Sequence, residues 1–472
     1  MCGFAGEFAP ERPANPAVVA AMTDTMSPRG PDGGGSWSQG PLALGHRRLA
    51  IIDLSAAGAQ PMHDPELGLT IAFNGCIYNY PELRSELAGK GHRFFSHSDT
   101  EVLLKAYREW GDRFVERLQG MFAFAIGERD SGRLLLGRDR LGIKPLYLAD
   151  VDGNLRFASS LPAILAGGGV DARVDPVALH HYLTFHSVVP APHTILQGIS
   201  KLPPATLLAL EPDGRRTETR YWEPRFERDP ERDGWSTRDW EDATLDALRL
   251  AVERRLVADV PVGCLLSGGL DSSLIVGLLA EAGQHGLETF SIGFEAAGGE
   301  EGDEFRWSDI VAERFETRHH QIRIDTDRML PALDGAIAAM SEPMVSHDAV
   351  AFYLLSQEVA KHVKVVQSGQ GADEVFAGYH WYPPMADADP ADPLDAVARY
   401  RAAFFDRDHA ALAGLVEPDW LAAADESGRF VADHFSAAGA ATGTDRALRL
   451  DTTIMLVDDP VKRVDNMTMA WG

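Results

Sequence analysis

The sequence predicts two successive regions of different class: an α+β first half, then an α/β second half on a parallel, doubly wound sheet. Short apolar strands crowd the first half between turn signals. MFAFAIGE (121–128) and GRLLLGRD (132–139) read as a hairpin about Arg129-Asp130-Ser131-Gly132. In the second half VGCLL, ETFSIGF, HHQIRI and KVVQ alternate with helical runs, the pattern of parallel strands joined by crossovers. Small-residue loops follow two of those strands, SGGLDSS (267–273) and SGQGADE (368–374). Ligands of such sheets sit beyond the carboxyl ends of the strands.

A chain of 472 residues has room for two or three domains, and 45% hydrophobic with 24% charged residues is an ordinary soluble composition. The net charge of −26 excludes a general nucleic-acid binder and leaves phosphate binding to magnesium or a local basic cluster. Three cysteines, Cys2, Cys76 and Cys264, make no disulfide framework and suit a reducing cytoplasm. No apolar run approaches the ~20 residues of a membrane helix. MCGFAGEF lacks the basic and apolar regions of a signal peptide. A cytoplasmic protein with no membrane partner is expected, and a homodimer stays open.

Along the first half, Cys2 follows the initiator Met. Once Met1 is removed, Cys2 carries a thiol and an α-amine of pKa about 8, which can serve as base for its own nucleophile. SPRGPDGGG (27–35) is a loop. LALGHRRLAIIDLS (42–55) reads as a strand, and LTIAFNGCIYN (69–79) as a strand broken at Asn74-Gly75. Ser98-Asp99-Thr100 precedes a helix that Ser98 or Asp99 would cap. Residues 206–242 read as a linker, most clearly in the charged, Pro-bearing stretch from Tyr221 to Asp242. Leu245, Leu248, Val252 and Leu256 then recur at helical spacing.

The stretch VGCLLSGGLDSS (262–273) reads as strand, tight loop and helix start. Two readings stay open on these residues alone. It is a Gly-rich turn whose helix is capped by Asp271 or Ser272, or a loop whose N–H groups cradle phosphates. It lacks the lysine of the GxxxxGK[ST] loop. Three strand ends converging on one ligand, at SGGLDSS, at Phe290 to Gly293 and at SGQGADE, favour the phosphate reading. His319 and His320 are adjacent on a strand and point to opposite faces, so they read as a satisfied or solvated pair. Residues 386–444 read as Ala-rich acidic helices, and Asp458-Asp459 as a solvated charge pair.

Cys2-Gly3, RGPDG, RRLAIID, FNG-IYN, SDTEV, GMFAFAI and GRDRLGIKPLY resemble, in that order, the glutaminase domain of class II glutamine amidotransferases, with the asparagine synthetase family nearest. The resemblance covers residues 2–205 and implies an N-terminal-nucleophile αββα sandwich. Cys2 would attack the glutamine amide, and Asn74 and Gly75 would form the oxyanion hole. Arg48 would pair with the substrate carboxylate and Asp99 with its ammonium, and the backbone of Leu49, Ala50, Ile51 and Ile52 would line the pocket. Cys76 stands where the family usually has a glutamate that helps bind the glutamine amine.

Residues 243–472 resemble the synthetase domain of the same family, an ATP pyrophosphatase fold. The resemblance implies that Leu266 and Ile292 line the adenine and ribose. Ser267, Gly268, Gly269, Asp271, Ser272 and Ser273 would cradle the pyrophosphate, with Ser368 and Gly369 on the nucleotide. Asp271 and Asp373 would hold Mg2+. ATP would activate a small carboxylate acceptor as an acyl-adenylate, and ammonia from the first domain, travelling an apolar tunnel, would displace AMP. Gln370 replaces the usual glutamate of SGEG[AS]DE, which steers acceptor activation. SEPMVSHDAVAFYLLS and SGQGADEVFAGYHWYPP are similar to the N-acetylglutaminylglutamine amidotransferase group, implying that acceptor; aspartate is the alternative, and a non-catalytic glutamine or nucleotide sensor another. The family continues past RVDNMTMAWG, so the chain reads as truncated, keeping glutaminase capability without a full synthetase site.

Overall fold

Alternation of side chains along the strands decides the architecture. The computed structural model describes residues 2–295, 304–344 and 346–472. The first half contributes β1 (Gly3–Phe8), β2 (Gly33–Gln39), β3 (Leu42–Arg48), β4 (Met62–Asp64), β5 (Leu69–Ile77), β6 (Gly120–Glu128), β7 (Leu134–Arg138), β8 (Tyr147–Val151), β9 (Asn154–Ala158), β10 (Ser200–Lys201), β11 (Thr206–Leu210) and β12 (Arg216–Arg220). They form two six-stranded antiparallel sheets, ordered β10-β8-β9-β1-β3-β2 and β12-β11-β7-β6-β5-β4.

Successive residues of a strand face opposite ways. Phe4 and Phe8 of β1 and Leu44 of β3 meet Ala72, Ala125, Leu136 and Leu208 of the other sheet between the two layers. On the outer faces Ala5 and Tyr147 pack under α1 (Pro16–Asp24) with Met22, whereas Ile71 and Phe73 pack with Leu87 of α2 (Tyr80–Gly89) and Leu103 of α3 (Asp99–Trp110). The result is a helix–sheet–sheet–helix sandwich.

Two short helices, α4 (Leu161–Ala166) and α5 (Pro176–Thr184), precede the second half. There α6 (Thr237–Arg254) leads into β13 (Val262–Leu265). Then come α7 (Leu270–Glu281), β14 (Glu288–Phe294), α8 (Phe305–Arg314), β15 (Arg318–Ile324), α9 (Thr326–Ala339), α10 (His347–Val359) and β16 (Val365–Gln367). The four strands are parallel, in the order β15-β14-β13-β16. Val276, Leu279 and Ala312 of α7 and α8 pack with Cys264 and Leu266, while Leu355 and Val359 of α10 pack with Phe290. Helices therefore cover both faces. The winding reverses between β13 and β16, where such sheets bind ligands.

The chain divides into two compact units. One is Met1–Glu227 with Ser341–Val345 and Asp373–Asp465; the other is Arg228–Met340 with Ser346–Ala372 and Asn466–Gly472. In the first, Phe185 and Val188 share a core with Tyr400, Phe404 and Val431 from the late helices.

Several expectations are corrected. The strand is unbroken at Asn74-Gly75: β5 pairs with β6 through Gly75 opposite Phe122, at a close backbone approach that only glycine allows. β3 ends at Arg48, short of Ser55. Residues 206–220 are no linker, because β11 and β12 complete the second sheet, and α6 begins inside the charged stretch at Thr237. Asp458 is not a solvated charge. It is buried and lies 2.8 Å from the Lys201 ammonium, which also meets Glu342 at 3.0 Å. Sequence polarity does not reveal a cation that the fold delivers from far along the chain.

Candidate active sites

Cys2 precedes β1, and alternation puts it on the inner face with Phe4. Its thiol lies 3.7 Å from the Leu49 carbonyl. Burial pushes the thiol up. The positive chain terminus, the Leu49 bond and Arg48 pull it down, and Asp99 adds to the rise. Arg48 and Asp99 are thus within electrostatic reach of the sulfur. None of the three cysteines is in a disulfide.

The opposing sheet presents Asn74 and Cys76 on its inner face, at the same parity as Ala72. Asn74 is fully buried, and neither its Nδ2 nor its Oδ1 has a hydrogen-bond partner. An unsatisfied buried amide costs roughly 1–3 kcal/mol, so it marks a place where a ligand completes the bonding. Gly75 cannot be enlarged: a Cβ there would come within 2.2 Å of the Met121 carbonyl. Cys76 is buried in the same strand and carries no charge to replace the usual glutamate.

Asp99 begins α3 behind Ser98, whose hydroxyl caps the helix by accepting from Thr100 N. Burial pushes the Asp99 carboxyl up to about 6, against the N–H groups of Ile77 and Thr100 and the Ser98 hydroxyl. Arg48 donates from Nη1 to the Ser55 carbonyl at 2.8 Å and from Nη2 to the Asp53 carbonyl. A guanidinium has five donors, which leaves capacity for a carboxylate. Asp53, at φ 52°, accepts from His97 N at 2.8 Å and so ties the Arg48 loop to the Asp99 loop. Leu49 and Ile52 are buried and Ala50 and Ile51 half-buried; Ala50 N donates to Asp32 at 2.8 Å.

Two residues next to this crevice carried no sequence expectation. His46 lies opposite Phe4 and, 3.1 Å away, donates from Nε2 to the Phe73 carbonyl, next to Asn74. Burial lowers it to about 4, so the ring is neutral at pH 7. Alternation from Leu42 and Leu44 was the available signal. Arg29 donates from Nε to the Cys2 carbonyl at 3.4 Å. It was hidden inside a loop motif.

In the second unit Gly269, rather than Asp271 or Ser272, stands at the N-cap of α7. Ser267 N donates to the Ser272 hydroxyl at 3.2 Å, and Gly269 N to the Ser267 hydroxyl at 3.2 Å, which folds the loop over the helix start. Gly268 has φ +90°, and a Cβ there would meet Ser308 N and Trp307 Cβ at 2.6 Å. Ser273 donates to the Gly269 carbonyl at 2.6 Å. The Ser368–Gly371 loop after β16 packs on the same helix start: a Cβ at Gly369 would lie 2.9 Å from Asp271 Cβ. Ser267, Gly269, Asp271 and Gln370 are exposed or half-exposed, and Ser368 accepts from Gln370 N at 3.3 Å.

Leu266 is buried in the sheet core and donates its N–H to the Phe290 carbonyl at 2.8 Å. Ile292, half-buried, pairs with Ile322. Asp373, in the first unit, opens the short helix Ala372–Phe376, with its carboxylate against Gly378. Among the described residues no group of three or more His, Cys, Asp or Glu side chains could hold a metal. His319 meets Thr289 and Ser308, and His320 meets Glu288 at 2.6 Å on the other side. No helix of the described residues is long and apolar enough to cross a membrane.

Family models match both halves: a glutamine amidotransferase domain over residues 1–222 and asparagine synthase over 243–472. A putative asparagine synthetase [glutamine-hydrolyzing] 2 of Methanocaldococcus jannaschii is 33% identical over 412 residues, covering 80% of this chain and 76% of that protein. The chain belongs to the asparagine synthetase family. Asparagine synthetase [glutamine-hydrolyzing] 3 of Bacillus subtilis is 35% identical over 400 residues, covering 81% of this chain. A putative asparagine synthetase [glutamine-hydrolyzing] of Mycobacterium tuberculosis is 35% identical over 419 residues, covering 84%. The chain spans 64% and 63% of the length of these last two relatives.

Proposed function

We propose that the chain is a glutamine-hydrolysing, ATP-dependent amidotransferase, with a glutaminase that runs from Cys2 through β12 and an adenylate-forming region over 243–472. The observation that carries the glutaminase reading is Asn74: buried, unpartnered, and on the sheet face opposed to Cys2. The Cys2 thiolate attacks the glutamine side-chain carbonyl, with the free α-amine taking the thiol proton. Asn74 Nδ2 and Gly75 N–H hold the developing oxyanion. Ammonia leaves with that proton, and water cleaves the thioester to glutamate. Arg48 grips the substrate carboxylate, Asp99 its ammonium, and the Leu49–Ile52 backbone lines the pocket. With Cys76 uncharged, the ammonium rests on Asp99.

For the second unit, the folded-over Ser267–Ser273 loop and the adjacent Ser368–Gly369 backbone support a pyrophosphate cradle at the reversal of the sheet. Leu266, directly after β13, and Ile292, in the second half of β14, would line the adenine and ribose. An exposed Asp271 in the first turn of α7 fits Mg2+, which binds through one or two carboxylates plus substrate phosphates, and would hold it. When bound, the ion neutralises phosphate charge. The acceptor carboxylate attacks the α-phosphorus, pyrophosphate leaves, and ammonia then displaces AMP from the acyl carbon. Gln370, uncharged, cannot serve as a base there, so the step leans on another group or the acceptor is not aspartate; the likeness of SEPMVSHDAVAFYLLS and SGQGADEVFAGYHWYPP to the N-acetylglutaminylglutamine amidotransferase group is what supports N-acetylglutaminylglutamine as acceptor.

Glutamate release from glutamine is expected, and Cys2→Ala is expected to abolish it. Wild-type chain that releases no glutamate would leave the sensor reading. Acceptor-dependent pyrophosphate release, compared for aspartate and N-acetylglutaminylglutamine, tests the second step. A response to aspartate alone refutes the acceptor assignment.

A further inference from the structure

The first unit holds a buried charge cluster that touches both walls of the candidate glutaminase crevice. Asp465 Oδ2 lies 2.8 Å from Arg29 Nη1, and its Oδ1 lies 2.8 Å from Lys144 Nζ. All three side chains are at most 8% exposed. Arg29 reaches on from Nε to the Cys2 carbonyl, on the wall that carries the nucleophile. Lys144 belongs to the turn after β7, where Asp139 Oδ2 accepts from both Lys144 N at 2.9 Å and Phe122 N at 3.1 Å. Phe122 is the β6 residue paired with Gly75, on the wall that carries the oxyanion donors. One carboxylate therefore ties Cys2 to the strand pair that holds Asn74 and Gly75.

We propose that Asp465 is a positioning residue for the glutaminase: through Arg29 it fixes the Cys2 backbone, and through Lys144 it fixes the strand opposite Gly75, so the spacing from sulfur to oxyanion donors depends on it. The proposal rests on the glutaminase reading above. Charge and burial agree with it. Two cations hold the Asp465 carboxyl far below the usual carboxylate range despite burial. The carboxylate comes from a segment 321 residues beyond Lys144 in the chain.

A second buried cluster nearby supplies the control. Asp458, from the same late segment, pairs with Lys201 at 2.8 Å and stands 3.9 Å from Lys462, rather than with Arg29 or Lys144. A residue that merely seats that segment would affect the site as Asp458 does.

The test uses the full 472-residue chain. Glutamate release gives kcat and KM. The rate of Cys2 alkylation by iodoacetamide, read by peptide mass, reports the nucleophile without turnover. Asp465→Asn is expected to lower kcat about 10-fold or more with KM within about threefold, and to change the Cys2 alkylation rate about fivefold or more, since an ångström of misplacement costs up to ~100-fold. Arg29→Lys keeps the ion pair but loses the Nε bond. Acting through Arg29, Asp465→Asn should add less than about twofold to the alkylation effect in the Arg29→Lys background. Asp458→Asn should leave both readouts within about twofold. Full additivity, an equal loss in Asp458→Asn, or an unchanged kcat in Asp465→Asn overturns the proposal. Should Asp465→Asn not fold, Asp465→Glu, which moves the charge by one methylene, is read against the same thresholds. If the wild-type chain releases no glutamate, the glutaminase reading fails, and the alkylation rates still decide whether Asp465 governs Cys2.

Discussion

Replacing Gly75 by alanine is a direct probe of the oxyanion strand. The added Cβ would sit 2.2 Å from the Met121 carbonyl oxygen, 2.8 Å from Phe122 Cα and 3.0 Å from Phe122 Cβ. The nearest obstacles are backbone atoms of a paired strand, so no rotamer change relieves them. An ordinary contact needs about 3.4 Å or more, and β5 must part from β6 by about an ångström. Overpacking of this size costs about 1–3 kcal/mol. The functional cost is larger. Asn74 precedes the substituted residue, and an ångström of displacement at a catalytic donor is worth up to ~100-fold in rate. Glutamate release should therefore fall by about two orders of magnitude in kcat, while the thermal midpoint drops by a few degrees. Cys2 and the second unit are untouched, so ATP binding should persist. Near-wild-type kcat in a folded Gly75→Ala chain would refute the placement of the oxyanion hole on β5.

Three further outcomes follow from the geometry. Asn74→Ala should lower kcat for glutamate release by roughly 100- to 1,000-fold while leaving Cys2 alkylation by iodoacetamide intact, because it removes an oxyanion donor and not the nucleophile. Asp99 must be ionised to hold the substrate ammonium, and its carboxyl stands at about 6; kcat/KM for glutamine should therefore fall as pH drops through about 6, and Asp99→Asn should show a low kcat/KM without that acidic limb. Gly268→Ala combines a left-handed φ with a Cβ 2.6 Å from Ser308 N and Trp307 Cβ; it should weaken ATP binding and spare glutamate release, both read on one preparation.

Much of the fold was legible because local pattern and tertiary role agreed. The 121–139 hairpin, the helix after Ser98, and the alternation of strands with helices past residue 260 all follow from periodicity and turn chemistry, which act over a few residues. The expected break at Asn74-Gly75 failed for a physical reason. Glycine marks turns, yet it also serves where two backbones come close, and only the position of β6 separates the two cases. Within 206–220, β12 is exposed along its length and carries no apolar alternation, whereas β11 is a short apolar run, TLLAL, buried throughout, whose strand character the charged stretch after it obscured.

The sequence by itself determined the chemistry on offer: a cysteine at position 2, an amide and an acid in motif order after it, and two small-residue loops at the ends of parallel strands. It also determined the family. Tertiary structure alone decided the state of the charges. Asp458 and Asp465 look alike in sequence to any surface acid, yet both are buried, each facing cations supplied from hundreds of residues earlier in the chain. It also left Asn74 without a partner and raised the Asp99 carboxyl by burial. Burial and long-range pairing depend on which surfaces meet, and a charge removed from water costs far more than local sequence preference records.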